Sequence, residues 1–270
     1  MQMERLQIDQ ETFIQALGGE EAAATMSASA KADALDDFMI GALNDPGYPE
    51  MVARARNGGP PTLRRGTGAI FGDGQRQPID LVPLPPAPTL LDYFRLRLPL
   101  PFLRHLLQSA GMALESGVEE ELVLACLLHD FGQNLARVDH GWWGAQMIEP
   151  YVSERVAFAV RYHQALRFYA DEAAGYHYPE LYVQIFGEGY IPEPYIAATY
   201  EQVRKHPWYM AARMVTVNDL YAFDPNKSVS LDPFVDIIGR HFRQPPEGLG
   251  FDGSPIAHMW RSLSFPDHPL

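Results

Sequence analysis

Leu122-Val-Leu-Ala-Cys-Leu-Leu128 is an unbroken run of seven apolar residues that ends directly on His129-Asp130. A helix can bury such a run. A carboxylate beside an imidazole at its end is unfavourable in an apolar interior unless something compensates, and the usual compensation is a metal ion. Residues of the same chemistry recur in helical, largely apolar surroundings: His105 in Leu-Arg-His-Leu-Leu, His140 before Gly-Trp-Trp, His163 in Val-Arg-Tyr-His, and Asp219 in Met-Val-Thr-Val-Asn-Asp. His105, His129, Asp130, His140, His163 and Asp219 make six candidate N and O ligands. Imidazole with carboxylate suits iron, zinc or manganese, and the lack of thiolates argues against a structural zinc site. Six ligands exceed the needs of one ion that keeps open positions. They are about right for two ions sharing a carboxylate, and Asp130, fixed by its neighbour His129, is the natural bridge.

These side chains need helices to hold them, and the pattern of apolar residues predicts an all-α fold, because strand-like alternation is scarce. Residues 1–88 are expected to form an N-terminal extension, an arm or lid packed on the main domain. Within it, Asp9 caps a short helix through Leu17, Gly18-Gly19 stops it, and residues 20–43 are helical. From Asn44 to Pro88, Pro and Gly punctuate the chain repeatedly and predict turns and extended segments. Gly66-Thr-Gly68 is not a dinucleotide fingerprint, since no strand precedes it and no helix follows. Residues 89–270 are expected to be the helical core with a C-terminal tail. Helices are predicted over 90–98, 101–116, from Val118 to Phe131-Gly132, over 140–148 and from Ser153 to Ala174. Others follow over 195–205, 208–223, 229–242 and 255–264, with a loop over 176–194.

Composition sets the outer limits. A net charge of −13 disfavours a nucleic-acid partner, which needs a basic surface, but allows a small anion held by one or two arginines. The single cysteine, Cys126, excludes an intrachain disulfide, fits a reducing compartment and reads as a small buried hydrophobe. Met-Gln-Met-Glu-Arg leads into no apolar h-region, so no signal peptide is expected. No stretch of 18 apolar residues exists to span a membrane. A cytoplasmic location is the expectation. His177, His206, His241, His258 and His268 are expected to be structural or exposed. Asp139 is expected to be an exposed loop acid and Arg161 to point away from the site. Trp142-Trp143, Tyr176, Tyr178, Tyr182 and Tyr190 are expected to pack the core and loop, with lining a pocket as the alternative for some of them.

His105, His129-Asp130 and Asp219 resemble the His…His-Asp…Asp motif of the HD-domain superfamily, and the gap of 24 residues between His105 and His129 is similar to that of many members. The resemblance covers roughly residues 100–225 and implies an HD-domain helical bundle. With His140 and His163 added, the chain resembles most the mixed-valent di-iron HD oxygenases, the group of the organophosphonate-cleaving oxygenase and, more distantly, myo-inositol oxygenase. In that group a basic residue four positions after the fourth histidine faces the substrate. Here His163-Gln-Ala-Leu-Arg167 matches, with Arg for the more usual Lys, on the same helix face as the ligand. Gln133 stands where the phosphonate-type enzymes carry a further histidine, and is the second substrate-contact candidate. The loop 182–190 lacks their serine/glycine signature.

The resemblance implies two iron ions, a ferrous/ferric pair. His105, His129 and Asp219 would hold one, His140 and His163 the other, with Asp130 shared. It also implies O2 and a small hydroxylated substrate as partners. No protein nucleophile is expected, the reactive oxygen species being carried by the metals. An HD phosphohydrolase using Mn2+, Zn2+ or Mg2+ on a phosphate ester or nucleotide is the alternative. A non-catalytic regulatory HD module is a third reading, against which the full ligand set argues.

Overall fold

A computed structural model describes residues 10–43, 85, 89–98, 100–133, 139–177 and 179–243. The described residues are helical, with no strand among them. The extension begins with α1 (Gln10–Ala16), α2 (Glu20–Thr25) and α3 (Ala28–Ala42). Gly18-Gly19 separates the first two, and Ser27 splits the expected 20–43 helix by capping α3, its hydroxyl accepting from Ala30 N–H at 3.2 Å. Thr89 and Asp92 form a reciprocal capping box at the head of α4 (Leu90–Arg97). Then come α5 (Leu100–Glu115), α6 (Glu120–Leu128), α7 (His140–Ile148) and α8 (Glu154–Leu166), the last opened by Ser153. The chain continues through α9 (Pro179–Phe186), α10 (Pro194–Val203), α11 (Tyr209–Leu220) and α12 (Val235–His241). The Asp9 cap, the turns of 44–88 other than residue 85, and the 255–264 helix lie outside the described residues.

Three expectations change. The helix expected to run to Ala174 stops at Leu166, because the Tyr176 hydroxyl donates to Arg167 O at 2.6 Å and satisfies the helix end. The expected loop 176–194 contains α9, whose Tyr182 and Ile185 are buried. The helix expected from Val229 begins only at Val235, after a 3-10 turn at Asp232–Phe234.

The core packs α5, α6, α8 and α11 against one another, with α7 laid on α8 and α12 on α6. The apolar run 122–128 lies at the centre, every residue of it buried. Buried side chains of α1–α3, including Phe13, Leu35 and Met39, belong to the same hydrophobic cluster. Helix α3 touches α5 and α9. Arg104 clasps the joint, its guanidinium donating to Leu43 O and, at 2.9 Å, to Pro225 O. Among the described residues no helix is long and apolar enough to cross a membrane.

Candidate metal centre

Five elements deliver the polar residues to one point. His105 comes from α5, His129 is the residue that ends α6, Asp130 follows it, His140 opens α7, His163 lies on α8 and Asp219 on α11. All six are buried, none more than 7% exposed. They fall into two groups that could each hold a metal ion: His105, His129, Asp130 and Asp219, and Asp130, His140 and His163. In each, the ligand atoms lie within 4.8 Å of one another, and Asp130 belongs to both.

The Nε2 atoms converge. His105 Nε2 and His129 Nε2 are each 3.2 Å from Asp219 Oδ1 and 3.2 Å from each other. Asp130 turns Oδ2 toward His105 Nε2, at 3.7 Å, and Oδ1 toward the second group, 2.8 Å from His140 Nε2 and 3.5 Å from His163 Nε2. His140 Nε2 is within hydrogen-bond reach of Oδ1, whereas His163 Nε2 has no hydrogen-bond partner among the described residues. Orphaned buried polar atoms call for an explanation.

The far sides of the rings supply it. His129 Nδ1 donates to Cys126 O at 2.7 Å, His163 Nδ1 to Val160 O at 2.6 Å and His105 Nδ1 to Ala222 O at 3.2 Å. A carbonyl can only accept, so the neutral rings carry their protons on Nδ1 and turn the Nε2 lone pairs inward. At these three rings lone pairs and carboxylates then face one another with no donor between them, as at metal sites whose histidines are oriented through the outer nitrogen. The donor set therefore fits metal ions.

Without an ion the centre is electrostatically polarised. Burial pushes His129 down, but the charges of Asp130 and Asp219 outweigh it and hold its pKa up at about 9. Burial likewise opposes the charge on Asp130 and Asp219, yet the facing histidines keep both carboxyls below the usual range. His163 is pushed down, chiefly by burial.

Support around the ligands is specific. Gln108, one turn beyond His105, donates to Asp224 O at 2.7 Å and Lys227 O at 2.9 Å and accepts from Asp224 N–H at 2.9 Å, fixing the segment after α11. Phe223 stacks on His105 with ring centroids 4.4 Å apart. Thr216 on α11 donates to His163 O at 2.9 Å. Helix α7 approaches α8 so closely that a Cβ on Gly141 would meet Val160 O at 2.8 Å and His163 Cε1 at 3.1 Å. Gly141→Ala is accordingly expected to cost about 1–3 kcal/mol, as overpacking does. It should also loosen metal binding in the His140–His163 group more than in the other. Denaturant unfolding and metal-competition titration of the variant check both.

The remaining candidates separate. Arg167 is buried, and its terminal nitrogens are taken by two carboxylates of α3, Asp33 Oδ1 at 2.5 Å and Asp36 Oδ2 at 2.7 Å. A substrate anion would have to displace one of them. Burial pushes Asp36 up to about 7 against the pull of Arg167, with Asp219 and Asp130 adding to the rise. Gln133 is buried in the turn after Asp130, its N–H donating to Asp130 O at 2.8 Å. A cavity of about 390 Å³ lies on the His140 side, its wall including Trp142, Trp143, Arg161, Tyr162, Gln164 and Arg167. Arg161 and the two tryptophans are placed there. Arg161 lines the cavity, with its Nε buried and without a hydrogen-bond partner. Trp142 and Trp143 are about half exposed, at 45% and 49%, because the face of α7 opposite Gly141 and Gly144 looks into the cavity and solvent. Tyr176 and Tyr182 are in the core as expected. His177, His206 and His241 lie elsewhere, against Glu172, Phe158 and Glu120. Asp139 is exposed, in the left-handed region at φ 54°. Tyr178, His258 and His268 lie outside the described residues. Reasoning from sequence missed Asp33, Asp36 and Gln164. The acids at 33 and 36 share one face of a helix, but nothing in the sequence pairs them with Arg167.

No protein-family model matches the chain, and no curated protein matches it.

Proposed function

We propose that this chain is a di-iron oxygenase of the HD-domain type, which uses O2 to oxidise or cleave a small, hydroxylated, anionic substrate. The observation that carries the reading is the pair of buried His/Asp groups sharing Asp130. Iron, when bound, supplies the one-electron redox chemistry that O2 activation requires. The ligands are nitrogen and oxygen throughout, a set that suits iron. His105, His129 and Asp219 would hold one ion, His140 and His163 the other, and Asp130 would bridge them. The chain's own part is to fix the ligands from five elements, to keep bulk water from a centre whose residues are nearly inaccessible, and to admit substrate from the His140 side.

On that side the anionic group of the substrate falls to Arg161. Among the described residues its Nε is unpartnered, and its one ion pair is a loose one, 3.6 Å to Glu149. The Arg167 fork is already filled by Asp33 and Asp36.

The test is O2 consumption. Protein loaded anaerobically with Fe(II) is mixed with a panel of hydroxylated phosphonates, carboxylates and polyols and followed with an oxygen electrode. Substrate-dependent uptake is expected. Arg161→Ala should raise KM for the active compound about tenfold or more, the worth of one charge-assisted hydrogen bond, with metal content unchanged. A phosphate ester hydrolysed equally with and without O2, and no uptake on any compound, would transfer the function to a metal-dependent phosphohydrolase.

A further inference from the structure

Gln164 does to His140 the opposite of what the backbone does to the other three histidines. Its Oε1 accepts from the N–H of Gly141 at 2.7 Å. A backbone N–H can only donate, so the orientation of the amide is fixed, and Gln164 Nε2 is the atom that faces His140 Nδ1, at 3.0 Å. An amide NH2 has no lone pair to offer. His140 Nδ1 must therefore accept, and the neutral ring carries its proton on Nε2, the nitrogen that faces Asp130 Oδ1 at 2.8 Å. In His105, His129 and His163 the proton sits on Nδ1, because there a carbonyl is the outer partner.

The two groups are thus unequally prepared. Every imidazole of the first presents a lone pair to an incoming cation. In the second, His163 does so and His140 presents a proton. A cation can take His140 Nε2 only after the ring proton has moved to Nδ1, and Nδ1–H cannot face the NH2 of Gln164. The side chain of Gln164 must turn, and turning breaks the bond that holds the Gly141 N–H in the first turn of α7.

We propose that Gln164 is a positioning residue that holds His140 in the Nε2–H tautomer, so that the two ions enter in order: first the His105–His129–Asp219 group, then the His140–His163 group once Gln164 releases Nδ1. This rests on the two-ion reading above but not on the oxygenase chemistry. Gln164 also lines the cavity, so the residue that restrains the second group is one that an entering molecule touches.

Two measurements on the full chain test it. The first is 15N NMR of the imidazoles in metal-free protein, with the His140 signal identified by its loss in His140→Ala. At a pH above about 9, where His129 has lost its extra proton, the expected pattern is protonated Nε2 for His140 and protonated Nδ1 for His105, His129 and His163. Gln164→Glu, whose two oxygens accept from both Gly141 N–H and His140 Nδ1–H, should switch His140 to the Nδ1–H form. The second is anaerobic calorimetric titration with Co(II). Wild type should bind in two steps, and Gln164→Glu should tighten the second about tenfold or more, the usual scale of an outer contact to a ligand, while the first moves less than about twofold. An added charge acting through space would tighten both steps and leave the tautomer alone. His140 already Nδ1–H in wild type, or a second step unmoved by Gln164→Glu, would overturn the proposal. A single step in wild type would overturn the two-ion reading instead, and the tautomer would still decide whether Gln164 holds His140.

Discussion

Replacing Asp130 by alanine is expected to weaken both halves of the candidate centre at once. Asp130 is the one residue common to both groups, with Oδ2 turned to His105 and Oδ1 to His140 and His163. Its loss leaves the second group with two imidazoles and no charge, too little to hold a divalent cation. The first keeps His105, His129 and Asp219 but loses half of its negative charge. A contact to the outer side of a ligand is worth about 10–100-fold in metal affinity, so losing the ligand itself should exceed about 100-fold in each step. His140→Ala should behave differently, lowering the second affinity and sparing the first. Competition against a chelator of known affinity, with circular dichroism confirming the helices, separates the two variants. Retention of both ions by the Asp130 variant at wild-type affinity would remove the bridge.

Arg167→Ala is expected to cost more stability than any surface substitution in this chain, about 3–5 kcal/mol. The guanidinium is buried and answers two buried carboxylates on α3, Asp33 and Asp36. Removing it strands both. Asp36 suffers most, since its Oδ1 already lacks a hydrogen-bond partner and Asp219 and Asp130 repel its charge. The distinguishing result is rescue. Asp33→Asn with Asp36→Asn in the Arg167→Ala background should recover a large part of the loss, because neutral amides are far less costly to bury than unpaired charges. Urea unfolding of the single and triple variants measures it. A single variant within about 0.5 kcal/mol of wild type would show that the Arg167 ion pairs contribute little to stability.

The candidate ligand residues were legible because each stands out against its neighbours. A His-Asp pair closing seven apolar residues, or an aspartate inside Met-Val-Thr-Val-Asn-Asp, has few reasons to exist in a buried helix apart from a partner. The helix His140–Ile148 was legible to its ends, bounded by Asp139 and Glu149-Pro150. What escaped depends on residues distant in sequence. The end of α8 is set by the hydroxyl of Tyr176, nine residues on, and no local signal at Leu166 announces it. Helix α9 was hidden by flanking Gly, Pro and Tyr, although Leu181, Tyr182, Ile185 and Phe186 carry helical spacing. The Arg167 ion pairs span 131 and 134 residues. The tight approach at Gly141 exists only once α7 and α8 are packed.

That long-range wiring also bears on how the protein comes to be folded. His105 reaches the end of the Asp219 helix across 117 residues, and the α3–Arg167 clasp closes a still longer loop. Contacts so remote in sequence form late, after the entropy of closing the intervening chain has been met. The candidate centre is therefore expected to be incomplete in the early, partly folded chain, with nothing preformed for an ion to gather around. A cation that binds only the finished cage stabilises it by mass action, about 2.7 kcal/mol at a hundred times its dissociation constant. If the centre completes after the folding transition state, that energy would fall on the unfolding rate and leave the folding rate alone. An ion bound there would then be a brake on coming apart rather than a seed for coming together, and the native protein's lifetime would follow the supply of metal.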